Sequence, residues 1–543
     1  MTVMTAGDAI VESLIAHGVD TVFGIPGAHM YDFNDALARR SDDIRFITTR
    51  HEQGAAYMAF GYAKSTGRVG VYTVVPGPGV LNSAAALCTA YGATAPVLCI
   101  TGNIMSHLIG RGRGQLHELP DQLALLRGLT KWAERIEHPA AAPYVMAEAF
   151  RQLASGRIRP VAVETPWDGF GRKADVSQPV RWPPIPAPIP DPESIAAAVE
   201  LIAAAKRPLI SVGAGALHAG EAVLRLAAML EAPVTAHRSG KGIVSDDSPY
   251  ALDSVAAYEY WKDADLLIGI GSRLELQHFR WRWLPRDLKI LRIDIDPTEM
   301  ARLKPHVGIV ADSAAGTAAL ADRVEALLPP RPRRADEFAG LRERARVRIQ
   351  RIQPQMGYLD AIREVLPRDG FYVEEICQAG FTSRFGFPVY GPRQYVTCGY
   401  QDNLGFGFNT ALGVKIANPR KAVVAVCGDG GFMFGSQELA TAVQYGIRVV
   451  TVLFNNHSYG NVRRDQIEQY RGRMLGADLV NPDFGKLTES FGALALRART
   501  PDELRSALAR ALEAEAPAVI EVPLERGAET SPWHLTMPAP HSA

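Results

Sequence analysis

Cysteine is scarce in this chain: five in 543 residues (Cys88, Cys99, Cys377, Cys398 and Cys427), odd in number and without metal-type spacing. That usage excludes a disulfide framework or a cysteine-held zinc as the organising device. The thiols read as reduced, mostly buried groups of a cytoplasmic protein. Net charge is also missing, since 58 Lys+Arg balance 58 Asp+Glu. Nothing global therefore draws the chain to nucleic acid or an anionic membrane. No apolar run reaches the roughly 18 residues of a membrane span. The N-terminus lacks the basic segment and apolar stretch of a secretion signal. What remains is an ordinary globular composition, 47% hydrophobic and 21% charged, in a chain too long for one core. About three domains are expected.

Two proline-rich segments divide the sequence, Ser177 to Ser194 and Pro329 to Arg334. Proline fixes φ and removes a donor, so both read as extended connectors. The domains expected are 1–176, 193–330 and 355–526, with linkers at 177–192 and 331–354 and a tail at 527–543. Each block alternates short β-rich runs with longer amphipathic stretches: "VGVYTVV" and "PVLCITG", then "RPLISVGAGA" and "DLLIGIGS", then "KAVVAVCGDG" and "IRVVTVLFNN". The pattern predicts an α/β chain of three doubly wound parallel-sheet domains. Ligands on such sheets bind beyond the carboxyl ends of strands.

That rule directs attention to Cys427–Gly460. "AVVAVC" reads as a buried strand ending in Gly428-Asp429-Gly430, and "VVTVLF" as the next strand, ending in Asn455-Asn456. The glycines allow a tight turn and close approach of backbone to a ligand. The stretch "FGSQELATAVQYG" has the length of a helix, whose start would offer free N–H groups to a phosphate. Adjacent parallel strands would bring Asp429 and Asn456 to one edge. A carboxylate, a carboxamide and a backbone carbonyl are hard oxygen ligands suited to Mg²⁺ shared with phosphate. Taken singly, each half is a common turn; the spacing across a strand-helix-strand favours a metal–diphosphate site.

GDG, about two dozen residues, then NN resembles the signature of the thiamine diphosphate enzymes, and the chain is most similar to the acetolactate synthase branch, with benzaldehyde lyase and cyclohexane-1,2-dione hydrolase among its relatives. The resemblance covers nearly the whole chain and implies a pyrimidine-binding domain, a Rossmann-like middle domain and a diphosphate-binding domain. It implies that Asp429, Asn456 and the Ser458 carbonyl hold Mg²⁺. It places cofactor contacts at Pro26, Gly77, Asn82, Gln378, Asn403, Gly428, Gly430, Gly431, Tyr459 and Gly460, with Leu404 as the wedge that bends the cofactor. "TTRHEQGAAYMAFGYAKSTG" resembles the activating motif and puts the glutamate at Glu52. A carboxyl with raised pKa can share a proton with the pyrimidine nitrogen. Glu52 and Asp429 lie on different domains, and in this family those domains meet across subunits, which implies at least a homodimer; a homotetramer is common.

On the substrate side, "FGIPGAHMYDF" places His29 in a loop, where benzaldehyde lyase and the dione hydrolase carry a histidine that reaches the reacting carbonyl. A histidine near neutral pKa can move protons. "RGRGQLHELPDQ" resembles the segment with the branch's active-site glutamine; the position falls on His117 or Glu118, and neither is glutamine. Asp465 stands near the position where acetolactate synthases have the tryptophan that selects the second 2-oxo acid, a departure that speaks against a true biosynthetic acetolactate synthase. Arg463 and Arg464 read as a solvated basic turn rather than a carboxylate clamp. In the middle block, "SVGAGALHAG" and "RIDIDPTEM" supply glycines and acids at strand ends. Relatives hold FAD or ADP there; an empty middle domain is the reading favoured here, with Gly213, Gly215 and Asp294 as the contacts to test. The expected activity is cleavage or formation of a carbon–carbon bond in a 2-oxo acid or 2-hydroxyketone. The alternatives are simple 2-oxo acid decarboxylation and a cofactor-binding member without turnover.

Overall fold

The computed structural model describes residues 1–281 and 284–536; the last seven residues of the expected tail lie outside them. Runs rich in Val and Ile form strands because branched side chains suit a pleated surface buried on both faces. Val424, Val426 and Val452 are wholly buried, each contributing roughly 1.5–3 kcal/mol over an exposed position.

These strands assemble into three six-stranded parallel sheets covered by helices. The first runs, side by side, through Arg45–Thr48, Thr21–Gly24, Gly70–Val74, Val97–Asn103, Val161–Pro166 and Trp132–Arg135. The third runs through Tyr395–Val396, Phe371–Glu374, Val423–Gly428, Val450–Asn455, Ala518–Pro523 and Leu494–Arg497. Numbered within its own domain, each has the strand order 2-1-3-4-6-5. The middle sheet, from Pro208–Val212 to Val307–Val310, has the order 3-2-1-4-5-6, that of dinucleotide-binding folds. A two-stranded antiparallel pair, Thr2–Thr5 with Lys173–Val176, closes the N-terminal domain.

Residues 177–191 are without regular structure. The segment 331–354 contains a helix, Ala335–Ile349, which buries Phe338, Leu341, Ala345 and Ile349 along one face; that spacing is helical. The helix expected over 434–446 spans 436–444, and its first turn is 3₁₀. A turn of helix at Asp429–Phe432 is followed by a 3₁₀ turn at Ser436–Glu438 and a short helix, Leu439–Gln444. Gly435 stands just before the 3₁₀ turn: a Cβ there would lie 2.4 Å from the Asn409 amide.

The N- and C-terminal domains touch within one chain. Helix Glu52–Thr66 packs on helix Gly407–Ala417. A Cβ at Gly61 would fall 2.1 Å from the Thr410 carbonyl oxygen, and one at Gly413 would fall 1.9 Å from that of Met58. No described helix is long and apolar enough to cross a membrane.

Candidate active site

Strands Val423–Gly428 and Val450–Asn455 are parallel neighbours, with Gly428 opposite Phe454. Asp429 and Asn456 follow their carboxyl ends on one edge of the sheet. The chain can turn there because it is nearly bare of side chains. A Cβ at Gly430 would meet the Tyr459 ring at 2.5 Å, one at Gly431 the Glu375 carboxyl at 3.0 Å, and one at Gly460 the Asn456 amide nitrogen at 2.9 Å.

Beyond this edge opens a cavity of about 850 Å³. Asp429, Asn456 and Ser458 line it, together with Gln378, Leu404, Gly428, Gly430, Gly431, Tyr459 and Gly460. Asp429 is buried, and desolvation raises its pKa against hydrogen bonds from Asn481 and the Gly430 N–H. The Asn481 amide donates to Asp429 Oδ2 at 2.7 Å and to Asn455 Oδ1 at 2.9 Å. A second carboxyl, Glu529, accepts from Asn456 Nδ2 at 2.5 Å. Burial, with Asp429 adding to it, pushes Glu529 up to about 7. The Asp429 carboxylate, the Asn456 amide oxygen and the Ser458 carbonyl are a hard-oxygen donor set of the kind that fits a divalent cation.

Glu52 heads the helix Glu52–Thr66, and its Oε2 accepts from Asn82 Nδ2 at 3.0 Å. Two residues expected separately at the cofactor, Glu52 and Asn82, are therefore in contact. Neither lines the cavity: among the described residues, every residue that does lies at position 280 or beyond. Asn403 also points elsewhere. Its amide donates to the Tyr57 hydroxyl and accepts from Thr89 Oγ1 at 3.0 Å, both in the N-terminal domain. Pro26 is exposed on the loop after Thr21–Gly24.

His29 and His117 come together, their rings stacked 4.9 Å apart, with Trp167 on the other side of His29 at 4.6 Å. His29 is buried, and burial, then His117, holds its pKa below the ordinary imidazole value. Its Nε2 contacts the Leu116 carbonyl at 3.1 Å. A carbonyl only accepts, so Nε2 carries the proton and Nδ1 the lone pair. Nδ1 of each ring is buried without a hydrogen-bond partner, as expected of groups waiting for a ligand. Gly77 packs on this pair, since a Cβ there would lie 2.5 Å from the His117 carbonyl oxygen. Glu118 faces its own loop: the Gln115 N–H donates to it at 2.8 Å, and the loop's amides lower its pKa.

Arg464 lines the cavity beside Asn461, Asp465 and Glu468, whereas Arg463 pairs with Asp478 at 3.0 Å. Sequence reasoning missed Asn481, Glu529, Gln122 and Glu375. Gln122 is buried and ties the Gly77 N–H to Gly102 O and Glu164. Glu375 accepts the Gly407 N–H at 2.7 Å, and burial pushes it up to about 7. Asn481, Glu529 and Glu375 are lone polar residues with no motif around them, whereas Gln122 ends the segment 111–122 whose glutamine position was placed at His117 or Glu118.

A second cavity, of about 830 Å³, lies between the N-terminal and middle domains. Gly213, Gly215 and Asp294 line it, with Arg157, His218 and Arg238.

Three domain families match in register with the three sheets: the thiamine pyrophosphate enzyme N-terminal TPP-binding domain over 4–125, the central domain over 195–320 and the C-terminal TPP-binding domain over 376–522. Relatives align along almost the full length. A probable 2-ketoarginine decarboxylase of Pseudomonas aeruginosa is 34% identical over 92% of this chain and 90% of its own. A probable acetolactate synthase large subunit of Methanocaldococcus jannaschii is 32% identical over 96% of this chain and 92% of its own. A glyoxylate carboligase of Escherichia coli O157:H7 is 31% identical over 97% and 94%. The chain belongs to the thiamine pyrophosphate-dependent enzymes, in the acetolactate synthase branch.

Proposed function

We propose that the chain is a thiamine diphosphate- and Mg²⁺-dependent carbon–carbon lyase or carboligase that acts on a 2-oxo acid or 2-hydroxyketone. The observation that carries this is the pairing of buried Asp429 with Asn456 at two adjacent strand ends, facing an 850 Å³ cavity. When bound, thiamine diphosphate supplies a nucleophilic carbon that adds to a carbonyl and takes up the electrons of the broken carbon–carbon bond.

Asp429, the Asn456 amide oxygen and the Ser458 carbonyl would hold Mg²⁺, an octahedral oxygen-seeking ion that keeps phosphate oxygens in its shell. The Gly430 and Gly431 backbone would lie against the diphosphate, and Leu404 would brace the rings from the cavity wall. Glu52, oriented by Asn82, would share a proton with the cofactor's pyrimidine nitrogen. His29 would accept or return a proton at Nδ1, with His117 beside it.

The cavity draws no residue from the N-terminal domain of its own chain among the described residues. This supports a homodimer at minimum, in which Glu52 serves the cofactor held by a second copy; a homotetramer would keep the same contact. The five free cysteines support a cytoplasmic location.

The names of two relatives, for 2-ketoarginine and for glyoxylate, are those of 2-oxo acids, which supports that substrate class. Simple decarboxylation is a second reading, favoured by the stacked His29 and His117: two imidazoles offer a proton to the carbon left after CO₂ departs, and no acceptor aldehyde is needed. FAD or ADP as a ligand of the middle domain is supported by the 830 Å³ cavity at Gly213, Gly215 and Asp294.

Proton NMR tests the proposal. The protein is incubated with thiamine diphosphate, Mg²⁺ and a panel of pyruvate, branched and aromatic 2-oxo acids, acyloins and cyclic diones. Consumption of a panel member that needs both additions is the expected result. A free aldehyde as product selects decarboxylation, and an acyloin selects ligation. No consumption, together with no exchange of the cofactor C2 proton above the rate in buffer, would overturn it.

A further inference from the structure

The polypeptide does not stop at the last strand of the C-terminal sheet. After Ala518–Pro523 it returns across the open edge, and Glu529, Ser531, Trp533 and His534 line the cofactor cavity. The segment is fastened just after Glu529. The Thr530 N–H donates to Gln353 O at 3.2 Å, Gln355 Nε2 donates to Thr530 O at 2.5 Å, and Trp533 Nε1 donates to Asn461 Oδ1 at 3.3 Å.

This places the Glu529 carboxylate against Asn456 Nδ2. The other end of that amide is fixed too, because Asn456 Oδ1 accepts from the Ser458 N–H and the Ser458 hydroxyl, each at 3.0 Å. The chemistry decides which end of the amide is which. A carboxylate accepts and an NH₂ donates, so the group beside Glu529 must be the nitrogen. An amide nitrogen has no lone pair to give a cation; an amide oxygen has. With the nitrogen held by Glu529, the oxygen is turned to Ser458, the residue whose carbonyl completes the proposed ligand set.

We infer that Glu529 is the positioning residue for Asn456: its carboxylate locks the carboxamide so that the oxygen, not the nitrogen, faces the divalent cation. The inference rests on the reading of Asp429 and Asn456 as cation ligands. It also explains a half-buried acid in the C-terminal segment, beside a site already holding one carboxylate, where it would otherwise only oppose it. Groups that orient a ligand in this way typically carry 10–100-fold of metal affinity.

The test is titration of the full-length protein, with thiamine diphosphate present, by Mn²⁺ as an EPR-visible probe of the cation site. Wild type should bind Mn²⁺, and Asp429→Ala should abolish binding; if wild type does not bind, the cation site itself is wrong and the inference falls with it. Given binding, Glu529→Ala should raise the Mn²⁺ Kd about 10-fold, while Glu529→Gln, whose side-chain oxygen still accepts from Asn456 Nδ2, should stay within about threefold of wild type. The Kd for thiamine diphosphate at saturating Mn²⁺ should be unchanged in both. Gln355→Ala, which loosens the same segment without touching Asn456, should leave the Mn²⁺ Kd near wild type. An unchanged Kd in Glu529→Ala overturns the inference. So does a Glu529→Gln as weak as Glu529→Ala, which would make the carboxylate a direct ligand, or a Gln355→Ala as weak as Glu529→Ala, which would make the effect one of segment packing.

Discussion

Glu438 in the C-terminal domain accepts the backbone N–H of His51, 2.9 Å away, and His51 caps the helix that begins at Glu52. The same carboxyl accepts the Arg50 N–H at 2.9 Å and the Thr441 hydroxyl at 2.6 Å, and it is fully buried. One domain therefore fixes the start of the helix on which the other carries Glu52. Glu438→Ala would leave two buried N–H groups without acceptors, at about 1–3 kcal/mol each. The expected outcome is a loss of roughly 2–5 kcal/mol in urea unfolding, with slower exchange of the cofactor C2 proton in whatever folds. Wild-type stability in the variant would show that water replaces the carboxyl, and that the latch is dispensable.

Glu52→Gln separates activation from binding. The amide keeps the size of the side chain and the contact with Asn82, but cannot exchange a proton. C2 exchange should slow by 10²- to 10⁴-fold, the ordinary span for a lost acid–base group. Thiamine diphosphate affinity, read from the fluorescence of Trp533 in the cavity wall, should hold within about twofold of wild type. Equal losses in both would make Glu52 a binding residue only.

The alternation of β-rich runs with amphipathic stretches made three parallel sheets legible before any coordinates, because a strand covered on both faces must be apolar throughout. The Asp429–Asn456 edge was legible for the same reason: two strand ends of known spacing on a parallel sheet have to meet. The start of the helix expected over 434–446 was not: it opens at Ser436 with a 3₁₀ turn, and Gly435 before it packs against Asn409, 26 positions earlier in the chain, whose amide a Cβ would meet at 2.4 Å. Glu529, Asn481 and Gln122 were invisible for a related reason. Each acts through long-range hydrogen bonds, two for Asn481 and three for Gln122, which leave no period or spacing in the sequence. Between His117 and Glu118 the sequence left the choice open; the left-handed backbone at His117, φ 66°, turns its ring onto His29 while Glu118 closes the loop behind it.

The middle-domain cavity makes a prediction that needs no turnover. If it takes a nucleotide, ADP or FAD at 100 times its Kd stabilises the protein by about 2.7 kcal/mol through binding to the folded state alone. A rise of a few degrees in Tm with ADP, retained in Asp429→Ala, is expected. A rise that disappears in Asp429→Ala would assign the effect to the diphosphate site instead, and no rise in either protein would leave the middle domain without a nucleotide.

Lys64 gives the clearest dependence of stability on pH. It lies in the last turn of helix Glu52–Thr66, is buried at 5% exposure, and donates to the Ala93 carbonyl at 2.9 Å. Burial, with Arg393 adding to it, lowers its pKa from 10.5 to about 7. In the unfolded chain the amine takes a proton below about pH 10.4; in the folded chain it does so only near 7. Between these values the unfolded state holds more protons, so folding stability falls as pH falls from about 10.5 to 7 and is flat below. The full span is roughly 4 kcal/mol. Lys64→Met keeps the helix propensity and the apolar stem, and Ala93 O retains the Thr94 hydroxyl at 2.7 Å. The variant should therefore be more stable than wild type at pH 7.5, by up to about 3 kcal/mol once a lost hydrogen bond of about 1 kcal/mol is subtracted. At pH 10.5 the order should reverse slightly, because only the lost bond is left. Urea midpoints at the two pH values decide it: parallel profiles for the two proteins would mean that Lys64 is protonated in the folded state and that water or Arg393's neighbours solvate it.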